Sequence, residues 1–424
     1  MYQKIIVCGF ALFSAWSNAF AVDLELTQGQ SKALPIALVP FANDHENEFS
    51  KIIKTDLKLS GVFNLLAFNE SHQPHDSLST DVSYWKSIGA NNLIVGSIQP
   101  KQDELSVHFQ LLDPISKAHI MLSREYKIPA THLRSLAHHI SDLLYQQLTG
   151  RKGIFSTRLA YIVVDRSDPS KPNYRLDVSD YDGSDPKTLL RSRQPIMSPS
   201  WSPNAKQITY VSFENKKSEV YVVNVSDGKR SLISSFPGIN GAPTWSPNGK
   251  QLAIVLSKSG SPNIYLHTMS EGKWVQITTG SSINTEPSFL NNGRELIFTS
   301  NRGGSPQIYK LNLVTKKITR LTYAGNYNAS ASYTPSQKAM VLLHRGSASF
   351  AIAVHNLATG LVTPLTFSKY DESPSLSPNG EMVVYASKQG NKGILKIASL
   401  DSNVNFKLPL AQGDMQEPTW SPFL

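Results

Sequence analysis

Along residues 243–255, PTWSPNGKQLAIV, Trp245 precedes the turn residues Ser246, Pro247, Asn248 and Gly249, and four apolar residues follow at 252–255. Asn and Gly both tolerate positive φ, so Asn-Gly between apolar runs predicts a hairpin. The pattern recurs. Trp201, Trp245, Phe289, Tyr333, Leu376 and Trp420 stand at intervals of 44, 44, 44, 43 and 44 residues. Pro199, Pro243, Pro287, Pro374 and Pro418 stand two residues before five of them, and Ala331 takes that place before Tyr333. Apolar runs follow the turns at 208–213, 252–256, 296–299, 340–343 and 382–386, and a third and a fourth run complete each repeat. Four strands in a period of about 44 residues, with no helical spacing, match a propeller blade. Residues 420–424 read as a first strand with nothing after it. Residues 158–164 read as a second strand with no first strand before it. Pairing the two closes a ring of six blades and removes its free sheet edges. The recurring large residue then packs between blades. Function falls to what differs between repeats, the segments 193–198, 237–242, 281–286, 326–330, 369–373 and 413–417, which read as loops entering near the channel.

Residues 22–150 have another rhythm. Residues 22–27 alternate apolar and polar and read as an edge strand or a docked arm; 34–39 read as a buried strand with Pro35 at its start. Phe49, Ile52, Ile53 and Leu57 share one face of a helix over 48–60 that Gly61 ends. A strand at 62–66, a polar loop at 69–80, a helix at 82–88 and a strand at 93–95 follow. Leu105, Val107, Phe109 and Leu111 alternate, as do Ile120, Leu122, Arg124 and Tyr126. A helix over 131–149 carries a broad apolar stripe and stops at Gly150. The chain is therefore multidomain: an N-terminal α/β domain over 22–150, then an all-β six-bladed propeller over 151–424, closed by its N- and C-terminal strands.

The first 21 residues change that picture only at its edge. Lys4 is their one charge, 5–16 are largely apolar, and Ala19-Phe20-Ala21 fits a cleavage site, so they read as a secretory signal peptide. Cys8 lies inside it behind Val7, where lipoprotein processing needs a small residue, and reads as an ordinary signal residue. It is the one cysteine of the 424 residues, so the mature chain is expected to lack thiols and disulfides. No run of about 18 apolar residues follows, which predicts a soluble exported protein. The net charge of +9 is spread without a dense basic cluster, which argues against nucleic acid.

Enzymatic signatures are missing. No G-x-S-x-G nucleophile elbow and no H-E-x-x-H occur. His138 and His139 are adjacent on a helix and diverge by about 100°, a poor metal clamp. His72 and His75 fall in the polar loop. Asp371 and Glu372 have no second acid placed opposite them by the sequence. No cofactor and no metal are expected. Asn, Met, Tyr and carboxylates around a propeller mouth suit a protein or peptide ligand.

Certain segments go beyond a generic propeller: RLDVSDYDG at 175–183, QPIMSP at 194–199, NGAP at 240–243, NTEP at 284–287, DESPS at 371–375 and the terminal WSPFL. With them the whole mature chain resembles the TolB family, the periplasmic component of the Tol-Pal envelope system of Gram-negative bacteria. The resemblance implies a non-enzymatic scaffold supporting outer-membrane integrity and envelope constriction during division. It implies that the mouth binds the peptidoglycan-associated lipoprotein Pal, through Met197, Asn240, Gly241, Ala242, Pro243, Asn284, Thr285 and Glu286, with Asp371 and Glu372 nearby. It implies that the N-terminal segment Val22, Asp23, Leu24, Glu25, Leu26 and Thr27 binds inner-membrane TolA. Colicin-type toxins are further expected partners, and the protein is expected to be a monomer. The family often has Arg-His before Asn-Gly-Ala-Pro; Gly238 and Ile239 stand here. The alternative reading is an exported propeller hydrolase or glycan-binding protein.

Overall fold

Helix α1 (Glu48–Leu59) forms with Phe49, Ile53 and Leu57 buried on one face and Ile52 at its margin. Its first turn is capped by the Asp44 carboxylate, which accepts from Phe49 N at 3.1 Å and Ser50 N at 2.8 Å. Gly61, at φ 71°, ends the element. A short helix α2 (Val82–Ser87) follows, and then α3 (Leu133–Thr149), which begins after a 3-10 turn at Ala130–His132 and ends at Gly150 with φ 73°. The computed structural model describes residues 24–26, 33–74, 80–101, 104–346, 349–401, 404–409 and 413–424. The expected signal peptide, with Val22, Asp23 and Thr27, lies outside the described residues.

The helices cover one five-stranded sheet, ordered Phe63–Leu65, Leu34–Leu38, Asn92–Lys101, Glu104–Asp113, His119–Ile128. The first three strands run parallel and the others antiparallel. Pleating sends Ile36 and Leu38 toward α1 and α3, and Ala37 and Val39 toward Trp85 of α2. The strand expected at 93–95 extends to Lys101; beyond Val95 the buried Ile98 is its single apolar residue, which makes no apolar run in the sequence.

After Thr157 the chain forms six antiparallel blades, as the repeat implies. Blade 1 pairs Asp414–Trp420 with Arg158–Asp165, then Asn173–Asp180 and Lys187–Ser192. Blades 2 to 5 begin at Ile196–Trp201, Asn240–Trp245, Asn284–Phe289 and Tyr327–Tyr333. Blade 6 begins at Glu372–Leu376. These first strands touch one another around the ring and line its axis. The closing strand differs from expectation: it ends at Trp420, and 421–424 form no strand. The Trp420 indole N–H donates to Thr157 Oγ1 at 2.8 Å, which ties the two ends of the propeller together.

Blade 6 has a fifth strand. Leu24–Leu26 pairs antiparallel with its outer strand, Val404–Lys407. A single apolar core runs from α1 and α3 through Phe155 and Tyr181 into blades 1 and 6. The α/β domain sits on the turns that follow the inner strands. There Tyr145 Oη donates to Glu381 at 2.6 Å, and Asn379 Nδ2 donates to the Lys152 carbonyl at 3.1 Å.

Candidate functional site

Each inner strand carries the same irregularity. In blade 3, Gly241 faces Val255 and Thr244 faces Ala253, so Ala242 and Pro243 together oppose one residue, Ile254. That is a β-bulge. Its first residue has positive φ in every blade: Ser198 (53°), Ala242 (43°), Glu286 (52°), Ser330 (51°), Ser373 (52°) and Glu417 (48°). None is glycine. Proline follows in five blades because the bulge leaves a position that needs no N–H for the ladder. The prolines were legible in the sequence; the left-handed residue before them was not. Segments expected to be loops, such as 237–242 and 281–286, therefore contain the start of the inner strand, and the crossing segments before them are shorter than expected.

The bulges ring a central cavity of about 630 Å³. Two carboxylates stand three blades apart on it, opposite each other across the axis. Glu286 accepts from the Ser330 amide at 2.8 Å and hydroxyl at 2.7 Å, and from Thr299 Oγ1 at 2.7 Å. Glu417 accepts from the Ser198 amide. Each thus caps the bulge amide of the next blade. Burial holds the Glu417 carboxyl above the usual range; the Ser198 amide opposes this, and the Glu372 charge adds to it.

The mouth lies at the end of the ring where inner strands begin, away from the α/β domain. Asn240 and Asn284 are fully buried there. Asn240 accepts from Phe236 N at 3.0 Å and donates to the carbonyls of Phe236 and Gly238 at 2.7 and 3.2 Å. Asn284 donates to Asn263 Oδ1 at 2.9 Å and accepts from Ser300 and Arg302. Asp371, also buried, accepts from Ser387 Oγ at 2.6 Å and from Ser368 N. These three repeat-equivalent residues hold the crossing segments in place, and their polar atoms are spent on the frame. Pro243 is buried as well. Met197, Gly241, Ala242, Thr285 and Glu286 are half-buried and Glu372 is exposed. Of the N-terminal candidates, Leu24, Glu25 and Leu26 lie at the outer edge of blade 6, remote from the mouth in the ladder.

Two apolar residues stand on the rim, Ile239, which the sequence marks only as a departure from the family pattern, and Ile283, which it does not mark. Ile239 and Ile283 immediately precede the buried asparagines and are 48 and 47 % exposed. Their spacing of 44 residues was the available signal. Gly238 has φ 80°, and a Cβ on it would meet Ser257 Oγ at 2.3 Å, so the departure from Arg-His is locked by backbone geometry. What this arrangement offers chemically is binding: a rigid polar frame with apolar and acidic side chains above it.

His138, Asp180 and Asp182 also converge, their ligating atoms lying within 4.8 Å of one another. Arg134 already pairs with both aspartates, at 2.7 and 2.6 Å, so a guanidinium fills that position. The cluster joins α3 to blade 1.

Residues 145–424 match the family model described as the TolB beta propeller domain, and residues 22–120 that of the TolB amino-terminal domain. The chain is 57 % identical over 425 residues to the Tol-Pal system protein TolB of Legionella pneumophila strain Corby, covering all of both chains. It is 56 % identical to that of Coxiella burnetii, covering 95 % of this chain and 94 % of the other. The crystal structure of TolB from Acinetobacter baumannii superposes with a TM-score of 0.87 at 40 % identity, covering 95 % of this chain and all of that one.

Proposed function

This chain belongs to the TolB family of Tol-Pal system proteins, and from that premise we propose two separate binding sites on it, the propeller mouth for Pal and the N-terminal strand for TolA. The protein is a periplasmic scaffold of the Tol-Pal system. Among the described residues no helix is long and apolar enough to cross a membrane. In this reading residues 1–21 direct export and are removed, and the scaffold acts by binding rather than catalysis. Colicin-type toxins would compete at the same surfaces.

The observation that carries the reading is spatial. The mouth presents Met197, Thr285 and Glu372 around a buried frame on the face away from the α/β domain, while Leu24–Leu26 pairs with the outer edge of blade 6. A strand held by only one neighbour can leave it, so the arm is a candidate for release to a partner. Two measurements test this. Removing residues 22–33 should abolish TolA binding and keep Pal affinity; losing both would end the division of labour. Thr285→Trp or Ile239→Asp should weaken Pal binding at least tenfold without moving the melting temperature. Unchanged Pal affinity in both would remove the mouth from consideration. The hydrolase reading gains nothing from the cavity, whose two carboxylates are engaged as inter-blade braces.

A further inference from the structure

Beside the mouth, blade 1 carries a second concavity. A cleft of about 540 Å³ lies between the turn joining its second and third strands and the segment crossing to blade 2. Pro172 and Pro195 form walls; Lys171, Tyr174, Arg193 and Gln194 supply polar atoms. Lys171 and Arg193 are exposed, and among the described residues neither has a carboxylate at ion-pair distance. Arg193 Nη1 donates to the Lys171 carbonyl at 3.3 Å, which ties the two loops together and holds the guanidinium at the cleft. Asp168 of the same turn accepts from the Ser170 amide at 3.0 Å and hydroxyl at 2.6 Å, and its charge also acts on Arg193 without a direct ion pair among the described residues.

The repeat isolates this feature. Positions equivalent to Arg193 in the other repeats hold Pro237, Ser281, Gly325, Ser368 and Gln412, none of them cationic. The blade scaffold therefore does not require a cation there, and repeat-specific residues are where a propeller carries recognition. The cleft also adjoins the mouth, because the segment lining it runs directly into Ile196 and Met197. Against the one carboxylate of Asp168, whose charge acts on Arg193, two cations leave the walled recess beside the binding surface net positive, which selects for negative charge.

We propose that this cleft is an accessory docking site that receives a carboxylate-bearing segment of the protein bound at the mouth. The proposal rests on the mouth being the Pal site. An acidic side chain reaching past Met197 would take a bidentate pair with Arg193 and a point-charge contact with Lys171. Charges at an interface rim act mainly on association rate and on its salt dependence.

The test measures binding of the soluble domain of Pal to the mature protein between 50 and 300 mM NaCl. Three variants are compared with wild type: Lys171→Ala/Arg193→Ala, Arg193→Lys, and Lys316→Ala/Lys317→Ala on the opposite end of the ring. The cleft double variant should associate about tenfold more slowly at low salt and lose most of the salt slope. Arg193→Lys should recover part of the rate, and the opposite-face variant should match wild type. Equal rates and slopes in wild type and cleft variant overturn this proposal alone. So does binding of soluble muropeptides that depends on Lys171 and Arg193 while Pal affinity does not. Failure of wild type to bind Pal overturns the mouth reading and this proposal with it.

Discussion

His138 Nδ1 on α3 lies 2.8 Å from Asp56 Oδ2 on α1, and both side chains are buried. Tyr181 of the propeller donates its hydroxyl to the other Asp56 oxygen at 2.9 Å. Asp180, in the same propeller segment, lies 3.7 Å from His138 Nε2. The pair therefore stands where the two domains meet, and it ties domain docking to protonation.

Burial opposes a charged imidazole, but the Asp56 charge, the hydrogen bond to Asp56 and the nearby Asp180 and Asp182 carboxylates outweigh it and push His138 up to about 10. Burial also raises Asp56. The His138 direction governs the pair, because Asp180 and Asp182 add two further anions facing the ring. A raised histidine contributes stability that is complete below its unfolded value of about 6.5 and is lost as pH rises through about 10. Thermal melts should show the protein weakening across that window. His138→Gln should flatten the profile there. A wild-type melting temperature constant from pH 6.5 to 10 would contradict the charged assignment.

Asp56→Ala leaves His138 and Tyr181 without their acceptor and should cost about 3–5 kcal/mol, as for other broken buried pairs. Tyr181→Phe removes one donor only and should cost about 1–3 kcal/mol. Denaturant melts compare the two, and equal losses would show that the phenol, not the imidazole, is the principal partner.

Glu286 ties blade 4 to blade 5 through Ser330. Glu286→Ala takes the acceptor from the Ser330 hydroxyl and leaves the half-buried Ser330 amide only the longer bond to Thr299 Oγ1 at 3.3 Å, and should destabilise the propeller by about 1–3 kcal/mol with no partner present. A wild-type denaturation midpoint would free Glu286 for a purely ligand-binding role.

The repeated tryptophans should respond differently to the same change. Trp420 Nε1 donates to Thr157, whereas Trp245 Nε1 is buried without a hydrogen-bond partner among the described residues. Trp420→Phe should cost about 1–2 kcal/mol more than Trp245→Phe. Chemical denaturation of the two variants decides the matter.

Gly61 has φ 71°, and a Cβ there would stand 2.2 Å from Val404 Cγ2 of blade 6. Gly61→Ala should therefore force the end of α1 away from the strand that pairs with Leu24–Leu26, costing about 1–3 kcal/mol. Faster proteolysis near the N-terminus is the accompanying readout.

The architecture was legible because it repeats. Six large residues from Trp201 to Trp420 at intervals of 43 or 44, five of them behind a Pro and the first five before a second apolar run, admit one periodic solution, and the unmatched ends admit one closure. The helices were legible because Phe49, Ile53 and Leu57, and the stripe on α3, share faces. The site was legible only as a region. Asn240 and Asn284 look like ligand-facing amides in a list of polar residues, yet both are spent on the frame. Ile239 and Ile283, which do face outward, sit in segments read as loops, where nothing in the sequence separates them from their polar neighbours as the exposed residues.

Blade number, ring closure, domain order and family were all readable along the chain, since each follows from local periodicity and short motifs. Which residues face the solvent at the mouth became clear from the folded chain. Side-chain direction there depends on a bulge with positive φ at non-glycine residues, and no local preference calls for that conformation. The fold likewise makes His138, Asp56 and Tyr181 meet. They lie 82 and 125 residues apart in chain, and only the packing of α1 and α3 on blade 1 brings them within hydrogen-bonding distance.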